Sequence, residues 1–119
     1  MTRLAIIQRM TAKFPYGKCA LSLMFTIKPG KRDKLLAEIK KILPLCAKEP
    51  EFVFGVLHES ETRPYELRLF EIWKGSESDF VRIQSQKPYR LEYLKNTRDL
   101  VSRVDIEWSV VAREWGPAS

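Results

Sequence analysis

The sequence predicts an α+β fold of the ferredoxin-like, split βαβ kind: strand, helix, strand, strand, helix, strand (βαββαβ), with an antiparallel sheet carrying both helices on one face. Three observations predict it. Tyr65–Trp73 (YELRLFEIW) is the clearest strand, with Leu67, Leu69, Glu71 and Trp73 on one face and Arg68, Phe70 and Ile72 on the other. Phe52–Glu59 (FVFGVLHE) reads as a second strand, joined to the first through the polar loop Ser60–Pro64, so the two form a hairpin. Ahead of the hairpin the apolar period changes from two to 3.6, as an amphipathic helix requires.

Taken in order, residues 1–17 (MTRLAIIQRMTAKFPYG) are basic, free of acids and partly apolar. That is the composition of a mitochondrial presequence, but Ser is scarce and Pro15 interrupts it, so an N-terminal arm packed on the body or on a partner subunit is the expected reading. A secretory signal is disfavoured, because the apolar run is short and no small-residue cleavage site follows.

Lys18–Lys28 is the first core strand, with Cys19, Leu21, Leu23, Phe25 and Ile27 on one face and Ala20, Ser22, Met24 and Thr26 on the other. Both faces are largely apolar, which implies cover on both sides. Pro29 and Gly30 end it. Lys31 to about Ala47 carries a stripe of Leu35, Leu36, Ile39, Ile42 and Leu43, with Pro44 expected to bend or end the run and Pro50 to stop it. After the hairpin, Ser76 and Asp79 have capping-box spacing and open a helix through Phe80, Ile83 and Gln84. Lys87 and Pro88 interrupt it, and Pro88 starts a second helical piece through Leu91, Tyr93, Leu94, Leu100 and Val101. Val104–Glu114 closes the chain as a strand with Val104, Ile106, Trp108 and Val110 on one face. Helices on one side only leave the other sheet face wet, so a second copy of the sheet is expected to cover it in a homodimer.

Length and charge narrow the function classes. The 119 residues suit one domain, which needs no disulfide or metal to bury a core. No apolar run is long enough to span a bilayer as a helix. The formal charge of +6 is lopsided: residues 1–32 hold seven Lys or Arg and no acid, leaving 14 bases against 15 acids in the rest. A body without net positive charge argues against a nucleic-acid partner. Cys19 and Cys46 form no CxxC pattern and His58 is the only His, so neither a disulfide framework nor a metal site is signalled. Two buried thiols fit a reducing compartment, and a cytoplasmic location is expected.

The ordered pieces resemble a known family. FTIKPGKRDKLLAEIKKIL resembles the opening of antibiotic biosynthesis monooxygenase domains of the dimeric α+β barrel group, with an apolar strand, a KPGK turn and an amphipathic helix. EPEFVFGVLHESETRPYELRLFEIW is similar to that family's next segment, a hairpin whose second strand ends in Glu-x-Trp, here Glu71 and Trp73. The likeness spans residues 18–114, ahead of a short tail, 115–119. It implies a dimeric barrel with a ligand pocket between sheet and helices in each subunit. It also implies oxygenation of an aromatic, polyketide or oxylipin-like compound without metal, haem or flavin. The chain departs from the family pattern in having no His in the second helix, and Leu69 where quinone-forming members have Asn.

The candidate site residues each admit two readings. His58 is the side chain suited to act as a base near neutral pH, or a half-exposed strand His without a role. Arg68 either stabilises a phenolate or oxyanion, or pairs with Glu59 or a charge across the dimer interface. Trp73 stacks on a planar substrate, or anchors the sheet to the second helix. These three form the catalytic set, with Glu71, Tyr89 and Trp108 as ligand contacts. Glu71 shares a face with apolar residues, so it must be paired, solvated in a pocket or raised in pKa. Tyr89 and Arg90 follow the break at Pro88, where a pocket mouth can open, and Trp108 also reads as interface or core. The expected activity is a cofactor-independent monooxygenase-like reaction, against the alternative of a non-catalytic barrel that binds a small apolar ligand.

Overall fold

The structure, a computed structural model, describes residues 17–117. The basic arm and the presequence reading therefore lie outside the described residues, apart from Gly17. The elements are β1 (Lys18–Ile27), α1 (Arg32–Ala47), β2 (Phe52–Glu59), β3 (Glu66–Lys74), α2 (Glu77–Ile83), α3 (Pro88–Thr97) and β4 (Val101–Val110). The sheet order is β2-β3-β1-β4 and every neighbouring pair is antiparallel. This is the predicted ferredoxin-like arrangement.

Strand alternation decides what meets the helices. Leu21, Phe25, Leu67 and Leu69 point to the helix side and pack with Leu35 and Ile39 of α1 and with one another in two buried clusters. Cys19, Ile42, Cys46, Trp73 and Phe80 complete the cluster at the other end of the sheet. Helix α1 buries Leu35, Ile39, Ile42 and Cys46, one stripe at helical spacing. Pro44 neither ends nor visibly interrupts α1, which runs on to Ala47. It sits exposed in the last turn, so the carbonyl it leaves unpaired can reach water.

The second helical region is divided as the sequence indicates, but its end and the last strand are shifted. Ser76 caps α2 in a full capping box: its Oγ accepts from Asp79 N at 3.1 Å, and its own N–H donates to Asp79 Oδ2 at 2.9 Å. Gly75 precedes it at φ +91°, where a Cβ would lie 2.7 Å from Asp79 Oδ2. Pro88 begins α3, which ends at Thr97 and not at Val101. Leu100 N–H donates to Thr97 O, Lys28 N–H donates to Leu100 O, and Val101 pairs with Ile27, so β1 draws this segment into the sheet. At the other end β4 stops at Val110, not Glu114: its last rung pairs Val110 with Cys19, and only Val111 N–H still reaches β1, at Lys18 O.

Among the described residues no helix is long and apolar enough to cross a membrane, and no group of three or more His, Cys, Asp or Glu is placed to hold a metal ion.

Candidate functional site

The site starts from the spacing of α3. Arg90, Tyr93, Leu94 and Thr97 fall at i, i+3, i+4 and i+7, one helix face, and that face looks onto β1 and β4. Opposite it, Leu21, Leu23 and Phe25 of β1 lie beside Trp108, Ile106 and Val104 of β4, cross-strand partners on the helix side. Between the two is a cavity of about 550 Å³, within the range of small-molecule sites. It is open along the β4 edge, so Ile106 and Leu94 are 57% and 56% exposed.

The inner end of the cavity is built around Arg90. Its guanidinium lies 4.7 Å from the Phe80 ring centroid, 5.2 Å from Trp73 and 5.8 Å from Tyr89, a cation held over aromatic faces. Arg90 Nη2 donates to Cys46 Sγ at 3.3 Å, while its Nε is buried with no hydrogen-bond partner among the described residues. Behind it, Trp73 is 1% exposed and wedged between the edges of Phe52 and Phe80. Its Nε1 donates to Glu71 Oε1 at 2.8 Å. Gly55 sits opposite Glu71 in the ladder, and a Cβ there would come within 3.1 Å of Phe52, so the missing side chain lets the Phe52 ring fold onto Trp73.

Burial sets the protonation of this end. Glu71 is 3% exposed, and burial raises its pKa above the ordinary carboxylate value, against the pull of the Trp73 hydrogen bond and the Arg90 charge. Burial also pushes the Cys46 thiol up to about 11 and the Tyr89 phenol up to about 12, and raises Tyr93 further. Near neutral pH the end therefore presents one cation among neutral Tyr and Cys side chains.

The six predicted site residues are not gathered in one place. Trp108 lines the cavity and packs on Phe80 with ring centroids 5.0 Å apart. Glu71 and Trp73 lie behind Arg90, and at 1% exposure Trp73 offers no free face for a ligand to stack on. Its packing is that of the anchor between sheet and helices. Tyr89 Oη donates to Glu49 Oε1 at 3.1 Å, beside the Lys87–Glu49 ion pair, and so ties α3 to the end of α1.

His58 and Arg68 are cross-strand partners on the opposite face of the sheet. There they border a shallow depression of about 410 Å³ with Ser22, Met24, Phe70, Asp105 and Glu107. Arg68 donates to Glu66 at 2.9 Å, so its ion-pair partner is not Glu59, which binds Arg32 instead. The reason is the pleat: His58 alternates with Leu57 and Glu59, whose ladder partners Leu69 and Leu67 face the helices. Arg90 was the residue to single out from sequence, because it is the charged member of the helical stripe Arg90, Tyr93, Leu94 and Thr97 that lines the cavity.

Comparison with solved structures identifies the fold. SnoaB from Streptomyces nogalater, a cofactor-independent oxygenase solved in a mutant form, superposes with a TM-score of 0.70 over 82% of this chain and 95% of its own, at 14% identity. The chain has the antibiotic biosynthesis monooxygenase fold. A Nitrosomonas europaea protein assigned provisionally to antibiotic biosynthesis monooxygenases gives a TM-score of 0.74, covering 83% of this chain and 94% of that one at 13% identity. Rv0793 from Mycobacterium tuberculosis gives 0.68, covering 85% and 99% at 22% identity. No family model and no curated protein sequence matches. At such identities the monooxygenase fold is what is shared.

Proposed function

We propose that the protein is a cofactor-independent monooxygenase-like enzyme whose site is the β1/β4–α3 cavity, acting on a small, acidic, electron-rich aromatic or enolic compound. The observation that carries this reading is Arg90, a cation fixed over Trp73 and Phe80 at the inner end of an apolar cavity. A guanidinium in such surroundings lowers the cost of ionising a bound phenol or enol, and the anion is electron-rich enough to reduce dioxygen. For an activated methylene the balance is R₂CH₂ plus O₂ giving R₂C=O plus H₂O, with the substrate supplying all four electrons that reduce the dioxygen. Trp73 and Glu71 serve as positioning residues that hold the Arg90 plane.

The test is oxygen uptake with anthrones, hydroquinones and unsaturated fatty-acid derivatives. Arg90→Ala should lower kcat/KM by about a hundredfold, as removal of an anion-stabilising donor does, and His58→Ala should leave it unchanged. Equal uptake by the parent and Arg90→Ala would remove the assignment.

One observation favours the second reading, a small-molecule binder without catalysis. His58 is turned to the far face of the sheet, so among the described residues the cavity is lined by no side chain suited to take a proton near neutral pH. Tight binding of the same compounds with no oxygen consumed would select it.

A second copy of the chain is the proposed cover for the outer sheet face, and a cytoplasmic setting is proposed for both readings. Phe54 and Val56 are exposed there next to Phe70 and Met24. His58 and Arg68 lie towards one edge, with Asp105 and Glu107 towards the other. A two-fold axis running along the strands would set each pair of bases over the partner's acids. Sedimentation should show a dimer that Val56→Glu dissociates.

A further inference from the structure

The cavity has two ends, and both carry an arginine. It runs along α3 from Arg90 to Arg98, eight residues or about 12 Å at the helical rise. On the sheet side it runs from Leu21 to Phe25, a matching length at the strand rise. The middle is apolar, with Leu23 and Ile106 on the sheet and Leu94 on the helix. At the outer end Thr97, Arg98, Val101 and Ser102 form the rim.

The charge at this rim is simple. Arg103 is taken by Asp105 at 2.8 Å, while Arg98 forms no ion pair among the described residues. The charged residues lining this end are Arg98 and Arg103, and with Arg103 paired to Asp105 the Arg98 guanidinium is the cation left there among the described residues. One unpaired guanidinium balances the single charge of a carboxylate and meets it in fork geometry, whereas a phosphate dianion would leave a negative charge unbalanced at this rim.

We propose that the cavity selects elongated apolar monocarboxylates, with Arg98 holding the carboxylate at the rim and the opposite tip of the molecule reaching Arg90. Arg98 is then a specificity-determining residue that fixes which part of a substrate meets the inner end. A compound that lacks the acid, or that is too short to span the distance, loses this registration even though its apolar body still fits. The inference rests on the reading of this cavity as the ligand site.

The test compares decanoate with decanol by calorimetry, both below their aggregation concentrations, on the parent chain and on Arg98→Ala and Arg98→Lys. In the parent, decanoate should bind about fivefold more tightly than decanol, the worth of a partly exposed ion pair. Arg98→Ala should abolish that preference without changing decanol affinity, and Arg98→Lys should keep part of it. Arg98 is exposed, so neither substitution threatens the fold. An acid preference that survives in Arg98→Ala overturns the anchor while leaving the cavity in place as a ligand site. Failure of both compounds to bind the parent chain overturns the cavity reading and the anchor together.

Discussion

The helix side of the sheet is finished differently over its two halves. Under α1 the packing is closed: Leu35 and Ile39 are fully buried against Leu67 and Leu69, one sixteen-residue helix seated on β1 and β3. Under α3 it is open, and of the ten residues in that helix only Thr97 is buried. The cause lies in the chain between them. Lys87 and Pro88 break the second helical region into two short rods: α2 docks on β4 through Phe80, while α3 leans on α1 through Tyr89 and Arg90 and stands off β4. One half of the sheet is spent on stability and the other is left free to enclose a molecule.

This contrast can be broken from the closed side first. Leu35→Ala or Ile39→Ala should cost about 2–5 kcal/mol in chemical denaturation, while Leu94→Ala, already more than half exposed, should cost under about 1 kcal/mol. Equal losses would mean that α3 is packed as tightly as α1. Next in size is the hinge into α2. Gly75→Ala adds a Cβ against Asp79 at a positive φ, and about 1–3 kcal/mol of destabilisation is expected on thermal or urea melts.

The pH dependence sharpens the comparison at the inner end. Because Glu71 has a raised folded pKa, the folded state holds its proton more tightly than the unfolded chain. Its contribution is complete below the unfolded value near 4.5 and declines as pH rises towards the folded value. Glu49 and Asp79 run the other way. Hydrogen bonds from Lys87 and from the Ser76 backbone lower their pKa values, so their contributions appear above the unfolded values and fade as acid is added. Glu71→Gln should therefore flatten the loss of stability above pH 4.5 and leave the acid limb in place. The smallest effect on stability is expected from Ile106→Trp. It should fill the open half, change the melting temperature little, and block ligand binding in calorimetry.

Much of this layout was legible in the chain. The period-two runs gave β1, β2 and β3, and the Leu35–Ile39–Ile42 stripe gave α1, because each buries one face and the pattern must show it. The ends of β4 were not legible, since Leu100 and Val101 fit a helical period as well as an extended one. Only pairing with Ile27 decides between them, and that contact spans most of the chain. The site was half legible. Glu71 and Trp73 stand out as a polar residue and a Trp on an apolar face, and they do lie behind the cavity. His58 drew attention for its chemistry, but the strand alternation that sends it to the other face depends on a ladder that shifts between Phe52 and Phe54. Arg90 was visible as a residue and not as a role, because its place in the stripe matters only once β4 is known to stand clear of α3.

The antiparallel pairing of β1 with β4 has a topological consequence. Val111 N–H donates to Lys18 O at 2.9 Å, and Lys18 Nζ reaches Glu114 at 2.9 Å, so the two ends of the described sheet meet at one corner. The exposed connection at Ser60–Pro64 lies at the far corner of the sheet, beyond the last β2–β3 pair. A rearranged gene that splices residue 117 to residue 17 through a short flexible bridge, and opens the chain at Thr62, would encode the same sheet in a new order. Both new ends would then emerge beside the hairpin tip, away from the inner end of the cavity.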